Sequence, residues 1–291
     1  MNEIQIMVDS TVDLSKDIIE KNNIVVLPLH VAFKDDSHDY HDGVDINSEE
    51  LYKKVEKIGA TPKTGAVNVG EFIENFKKYI DEGKDIIFTG IGSKLSSTYQ
   101  NAVIASQEFP EGRIKVVDSG SLSTGTGLLV MKMAKFKNEG LSVQEIFDKV
   151  SALVPLVSAK FCIETLTYLY KGGRCSGMTM IVAHALHIHP VAKMIDGKLL
   201  VYKKPRGNYK KAVDVQIDEF MEDLPNIDTD CLFITHSGRI DGWDKYIYEK
   251  ISPFFPKENI HITETGCTVC SHCGPKTIGI LYILKNQDKN S

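Results

Sequence analysis

Side chains able to bind an anion are concentrated at three points in the N-terminal half: Asp9-Ser10-Thr11, Gly92-Ser93-Lys94-Leu95-Ser96-Ser97-Thr98 and Asp118-Ser119-Gly120-Ser121-Leu122-Ser123-Thr124. Neutral hydroxyls, together with the backbone N–H groups at helix N-termini, can hold a carboxylate or a phosphate. If the three clusters converge, Asp9, Ser10, Ser93, Ser96, Ser97 and Ser119 stand around one anion site. Each cluster taken alone also reads as a set of helix N-caps, for which Ser, Thr and Asp are preferred.

Two arginines extend this chemistry. Gly172-Gly173 marks a helix C-cap or a sharp bend, and Arg174 follows it; Arg206 lies in Lys203-Lys204-Pro205-Arg206-Gly207. On exposed corners either guanidinium could take a carboxylate or phosphate in a two-pronged hydrogen bond, or simply complement a helix dipole. A third stretch, Cys267-Thr268-Val269-Cys270-Ser271-His272-Cys273, carries thiolate and imidazole ligands at a spacing used by zinc and iron–sulfur proteins. No fourth cysteine follows, and in an extended segment side chains three apart point to opposite faces, so no metal is expected. A P-loop, a G-x-S-x-G elbow, an H-E-x-x-H pair and a complete dinucleotide glycine fingerprint are all missing from the sequence.

Positioning these groups requires strands that end at the clusters. Apolar runs at 4–8, 86–89 and 114–117 predict parallel strands, so the clusters gather at their carboxyl ends. A further strand is expected at 24–29. Helices are expected at 15–21, 71–80 (with Phe72, Ile73, Phe76 and Ile80 on one face), 97–108 and after Gly125. This alternation implies an α/β domain over 1–150. From 151 to 291 the pattern becomes α+β. The change begins at about Leu141, with a helix at 144–154, and continues through a strand at 158–163, a hairpin turning at Asp196-Gly197, a helix carrying Val213, Ile217, Phe220, Met221 and Leu224, strands at 231–235, 260–263 and 278–284, and a polar tail at 286–291.

With 291 residues and 42% hydrophobic content the chain can build sizeable cores, and a net charge of -5 argues against electrostatic binding to nucleic acid or membranes. No secretion signal and no membrane-length apolar run is seen, which gives a cytoplasmic expectation, no stable membrane insertion and six reduced cysteines.

Taken together, Val8-Asp9-Ser10-Thr11, Ser93-Lys94-Leu95-Ser96-Ser97-Thr98-Tyr99-Gln100, Val117-Asp118-Ser119, Leu169-Tyr170-Lys171-Gly172-Gly173-Arg174 and His272-Cys273-Gly274-Pro275 resemble the DegV family of fatty-acid-binding proteins, in order and along nearly the whole chain. The resemblance implies one long-chain fatty acid in a tunnel between the two domains, with Thr64, Ser93 and His272 around its carboxylate and no other cofactor. It also implies a partner, a dihydroxyacetone-kinase-like fatty acid kinase that makes an acyl phosphate for phospholipid synthesis, with Arg174 and Arg206 facing it. On this reading the protein is a carrier and not an enzyme. Two departures stand out: Gly65-Ala66-Val67 replaces the family's Ser-Gln-Pro after Thr64, and His189 replaces a common Lys before Pro190.

A buried alkyl chain gains about 0.8 kcal/mol per methylene, so such a carrier needs only a few hydrogen bonds at the carboxylate. The competing readings are a hydrolase or phosphatase using the serine loops with His272, and a Cys/His metal protein.

Overall fold

Strand β1 (Ile4–Asp9) is buried at all six positions, which a parallel strand covered on both faces requires. It lies between β2 (Val25–Leu27) and β6 (Asp85–Thr89), and β7 (Ile114–Val117) completes a parallel sheet of order β2-β1-β6-β7. The three cluster-bearing loops leave the carboxyl ends of β1, β6 and β7, as the apolar runs predict. The computed structural model describes residues 2–34, 36–176, 188–238 and 240–285; the expected polar tail at 286–291 lies outside them.

Helices cover both faces of this sheet. Val69–Asp81 begins with a reciprocal capping box between Asn68 and Glu71 and buries Phe72 and Phe76 against Phe88 of β6. Thr124–Asn138 is buried almost along its length, because it lies between the two large sheets. Its Lys132 reaches Asp228 (2.6 Å) and Asp230 (2.7 Å) on the second sheet, and its Thr124 hydroxyl lies 2.6 Å from that of Thr235.

The second sheet has seven strands, β8 (Val157–Cys162), β9 (Cys175–Ser176), β10 (Val191–Ile195), β11 (Lys198–Lys203), β12 (Ile227–His236), β13 (Ile260–Glu264) and β14 (Ile278–Leu284). Their order is β13-β12-β14-β8-β10-β11-β9, antiparallel at the centre and parallel at both edges, which is the mixed sheet expected. The β10–β11 hairpin turns on Asp196 (φ 47°) and Gly197 (φ 73°), the left-handed pair that a two-residue turn needs. Residue 150 falls inside the helix Val143–Leu153; the change of sheet comes just after it, at a turn containing Pro155. One apolar cluster runs across this point, joining Val150 to Ala159, Phe233 and Leu281.

Several elements differ from the sequence reading. Strands β3 (His30–Ala32), β4 (Asp39–His41) and β5 (Lys63–Gly65) form a small antiparallel sheet of order β4-β3-β5, and a helix, Ser48–Ile58, intervenes. Strands of three residues are too short to show alternation in sequence. Cys267–Cys273, expected to be extended, is helical. Among the described residues no helix is long and apolar enough to cross a membrane.

Candidate ligand site

The helix Cys267–Cys273 carries His272 and is held by residues from the N-terminal part of the chain. Asp42 accepts from the N–H groups of Cys267 (2.6 Å) and Thr268 (3.0 Å), and Asp13 accepts from Gly266 (2.7 Å). Carboxylates at a helix N-terminus satisfy its free donors and its dipole, which compensates a sequence poor in strong helix formers. A Cβ at Gly266 would stand 2.8 Å from Asp42 Oδ1, so glycine permits the approach. Ser10 and Ser123 donate to Asp42 (3.1 Å) and Asp13 (2.5 Å) respectively, and burial raises the Asp13 carboxyl well above its usual range.

Held in this way, His272 places Nε2 2.8 Å from Thr64 Oγ1 on β5. Its Nδ1 faces Gly172, where a Cβ would lie 2.2 Å away, and has no partner among the described residues. Burial, and secondarily the Arg174 charge, lowers the imidazole pKa to about 4. At neutral pH the pair is therefore an uncharged hydroxyl beside an uncharged ring.

Around this pair is a cavity of 160 Å³ lined by Leu29, Thr64, Gly65, Ala66, Ile91, Leu95, Ser96, Ser97, Arg174, Thr268 and His272. Behind it, a pocket of 30 Å³ shares Ile91, Leu95, Arg174, Thr268 and His272 and adds Leu122, Leu169, Leu199, Val269 and Cys273. A third, of 20 Å³, continues from Leu122, Val269 and Cys273 to Phe161 and Leu281 between the sheets. A polar mouth thus opens onto an apolar interior whose present spaces would each hold only one or two water molecules.

The structure does not bring Ser93 to Thr64 and His272. Ser93 is exposed, bonded through Oγ and N to Asp118 (2.5 and 3.0 Å), and lines a separate 580 Å³ cleft with Lys94, Lys193 and Asp196. Ser96 and Ser97 of the same loop occupy the mouth instead. Asp9 and Ser119 are buried loop scaffolding: Asp9 accepts from Thr11 and from Ile91 N–H (2.8 Å), and Ser119 donates to Gly90 O (2.7 Å). Burial pushes the Asp9 carboxyl up to about 6. Neither Ser97 nor Ser123 makes a side-chain cap, so the N-cap reading holds for Asp9 alone among these cluster residues.

The sequence reading puts Arg174 on an exposed corner, facing a kinase. It does follow a helix ending at Gly172 with Gly173 at φ 67°, and it is exposed, yet it lines both the mouth and the pocket behind, its guanidinium donating to Gly172 O (2.8 Å). Arg206 is exposed beside the isolated bridge to Ile188 and lines neither pocket. The cysteines of the helix are buried; burial pushes the Cys270 thiol up to about 12 and moves those of Cys267 and Cys273 up as well. Asp13 and Asp42 escaped the sequence reading, because their partners lie 253 and 225 residues away and no local motif announces a contact at that range.

These features define a class: an α/β protein with two large sheets and a small third one, in which a mouth lined by hydroxyls, an uncharged imidazole and Arg174 opens onto apolar side chains between the large sheets. The chain belongs to the DegV family, whose model, described as one of uncharacterised proteins, matches residues 3–285. A DegV domain-containing protein of Clostridium acetobutylicum is 35% identical over 286 residues, 98% of this chain and 100% of its own length. Among solved structures, a DegV family protein from Thermus thermophilus described for its fatty acid binding has a TM-score of 0.89 at 28% identity, covering 98% of this chain and 100% of that one. A stearic-acid-binding protein from Eubacterium ventriosum has a TM-score of 0.84 at 25% identity, covering 98% and 99%.

Proposed function

We propose that this protein is a cytoplasmic carrier of one long-chain fatty acid, holding the carboxylate at Thr64, Ser96, Ser97 and His272 and the alkyl chain among Ile91, Leu95, Leu122, Leu169, Leu199, Val269 and Phe161. The observation that carries this reading is the Thr64–His272 pair at 2.8 Å, uncharged and set at the entrance to an apolar interior. With Nε2–H donating to Thr64 Oγ1, the threonine hydroxyl is free to donate onward to a carboxylate. Loading requires the two inner pockets to widen, since 30 and 20 Å³ accommodate no alkyl chain as they stand. The fatty-acid-binding relatives support the ligand class.

The presented carboxylate is the substrate of a dihydroxyacetone-kinase-like fatty acid kinase, which converts it to an acyl phosphate for phospholipid synthesis. Arg174, at the rim of the mouth, and Arg206, on the same domain, face that partner.

The hydroxyl–imidazole pair also invites a hydrolase reading. Against it, an imidazole with a pKa near 4 is a weak base at neutral pH, and Nδ1 lacks the orienting carboxylate that a nucleophile–base pair uses. Fatty-acid displacement titrations test the carboxylate assignment. Thr64→Ala and His272→Ala are expected to weaken binding by about 1 to 3 kcal/mol each, the cost of leaving a buried acceptor short of a donor, with Thr64→Ser restoring most of the loss. Parent-like affinity in both alanine variants would place the carboxylate elsewhere.

A further inference from the structure

The small sheet that carries Thr64 also brings two histidines together. His30 of β3 and His41 of β4 are directly registered across the antiparallel pair, so their side chains share one face, with ring centroids 5.2 Å apart. Glu71, in the first turn of the helix Val69–Asp81, approaches the same face, its Oε1 3.1 Å from His30 Nε2. One ligand atom from each of His30, His41 and Glu71 falls within 4.8 Å of the other two.

From this geometry we infer a binding site for a divalent transition-metal ion, Zn²⁺ being the best match, formed by His30, His41 and Glu71. Two imidazoles and one carboxylate are a known zinc donor set that leaves a fourth position for water. Tetrahedral coordination needs donor atoms about 3.3 Å apart, so the donors, now within 4.8 Å of one another, draw together by up to about 1.5 Å on binding. The supporting layer is in place: Asp39 Oδ2 lies 2.8 Å from His30 Nδ1, and Asp45 Oδ2 lies 3.6 Å from His41 Nδ1. The Asp39 carboxylate is within hydrogen-bond reach of the His30 ring, fixing its tautomer and turning Nε2 toward the metal, while Asp45 stands near His41 at ion-pair distance only.

The backbone makes room for this arrangement. Gly65 is registered opposite His30 on the other side of β3, and a Cβ there would stand 3.1 Å from His30 Cβ. At the glycine that follows Thr64, a departure noted in the sequence, a side chain would press on His30, which would have to give by a few tenths of an ångström. An ion here ties β3 and β4 to the neighbouring helix and stiffens the sheet that presents Thr64. The donor set shares no residue with the cysteine stretch on which the expectation of no metal was based, and the site stands independently of the fatty-acid reading.

The test is titration of tag-free, chelator-treated full-length protein with Zn²⁺, followed by Co²⁺ absorption spectroscopy. The expected result is one Zn²⁺ per chain, loss of stoichiometric binding in His41→Ala and in the near-isosteric Glu71→Gln, and roughly tenfold weakening in Asp39→Asn. The Co²⁺ form should show ligand-field bands without thiolate charge transfer. Thermal melts confirm that each variant is folded, and Glu71→Gln keeps its shape if an alanine variant is not. Failure of the parent to bind, unchanged binding in both His41→Ala and Glu71→Gln, or a thiolate charge-transfer band would overturn the assignment.

Discussion

Shortening the ligand from sixteen carbons to eight is expected to weaken binding by about 3 to 6 kcal/mol, roughly two to four orders of magnitude in dissociation constant. The upper figure takes about 0.8 kcal/mol for each methylene moved from water into an apolar interior. The lower figure allows for the core: the inner pockets measure 30 and 20 Å³, so a long chain must displace Leu122, Val269, Phe161 or their neighbours, and a short chain displaces fewer of them. Both terms grow with chain length and oppose each other, but close packing lets displaced side chains recover part of their contacts on the ligand. Isothermal titration with a homologous series of saturated fatty acids checks this. An affinity independent of chain length would mean that the alkyl chain stays outside the apolar interior, leaving only the polar mouth as a binding site.

The second large effect is expected on transfer to the kinase. Arg174→Ala should lower acyl-phosphate formation by a cognate kinase by about 2 to 5 kcal/mol, roughly thirtyfold to several thousandfold at limiting carrier, the usual cost of removing one charge from a desolvated pair. Because Arg174 also lines the mouth and the pocket behind it, fatty-acid retention should fall as well, but only severalfold: its guanidinium is exposed and already engaged with Gly172 O. Arg206→Ala, away from both pockets, should reduce phosphorylation and leave retention unchanged. Lipid occupancy and kinase-dependent phosphorylation measured on the same preparations separate these effects. Equal loss of both in Arg174→Ala would make it a carboxylate ligand, and no loss of either would remove it from function.

The sequence disclosed the scaffold better than the site. Buried parallel strands announce themselves as apolar runs, and the β6 and β7 runs at 86–89 and 114–117 end where the structure ends them, apart from one residue at the start of β6. The Asp196-Gly197 turn was legible because only left-handed residues close a two-residue hairpin. The helix Cys267–Cys273 was not, since its N-terminus is satisfied by Asp42 and Asp13, more than 220 residues away in sequence, and nothing in seven residues records that help. The extended reading also underlay the argument that cysteines three apart point to opposite faces, which a helix, where such residues share a face, removes. Ser93 and Ser96 belong to one loop and differ by three positions, and only the fold distinguishes the residue bonded to Asp118 from the one in the mouth. The hydroxyl clusters were correctly located at the strand ends, but much of their hydrogen-bonding capacity holds the loops to one another through Asp9, Ser119 and Gly90.

The proposed function requires the space behind Thr64 and His272 to take a fatty acid. Its most direct test is mass spectrometry of an organic extract of the protein purified from bacteria without added lipid, quantified against protein concentration. Close to one long-chain fatty acid per chain is expected. Protein that yields no fatty acid and also fails to take up added palmitate would contradict it.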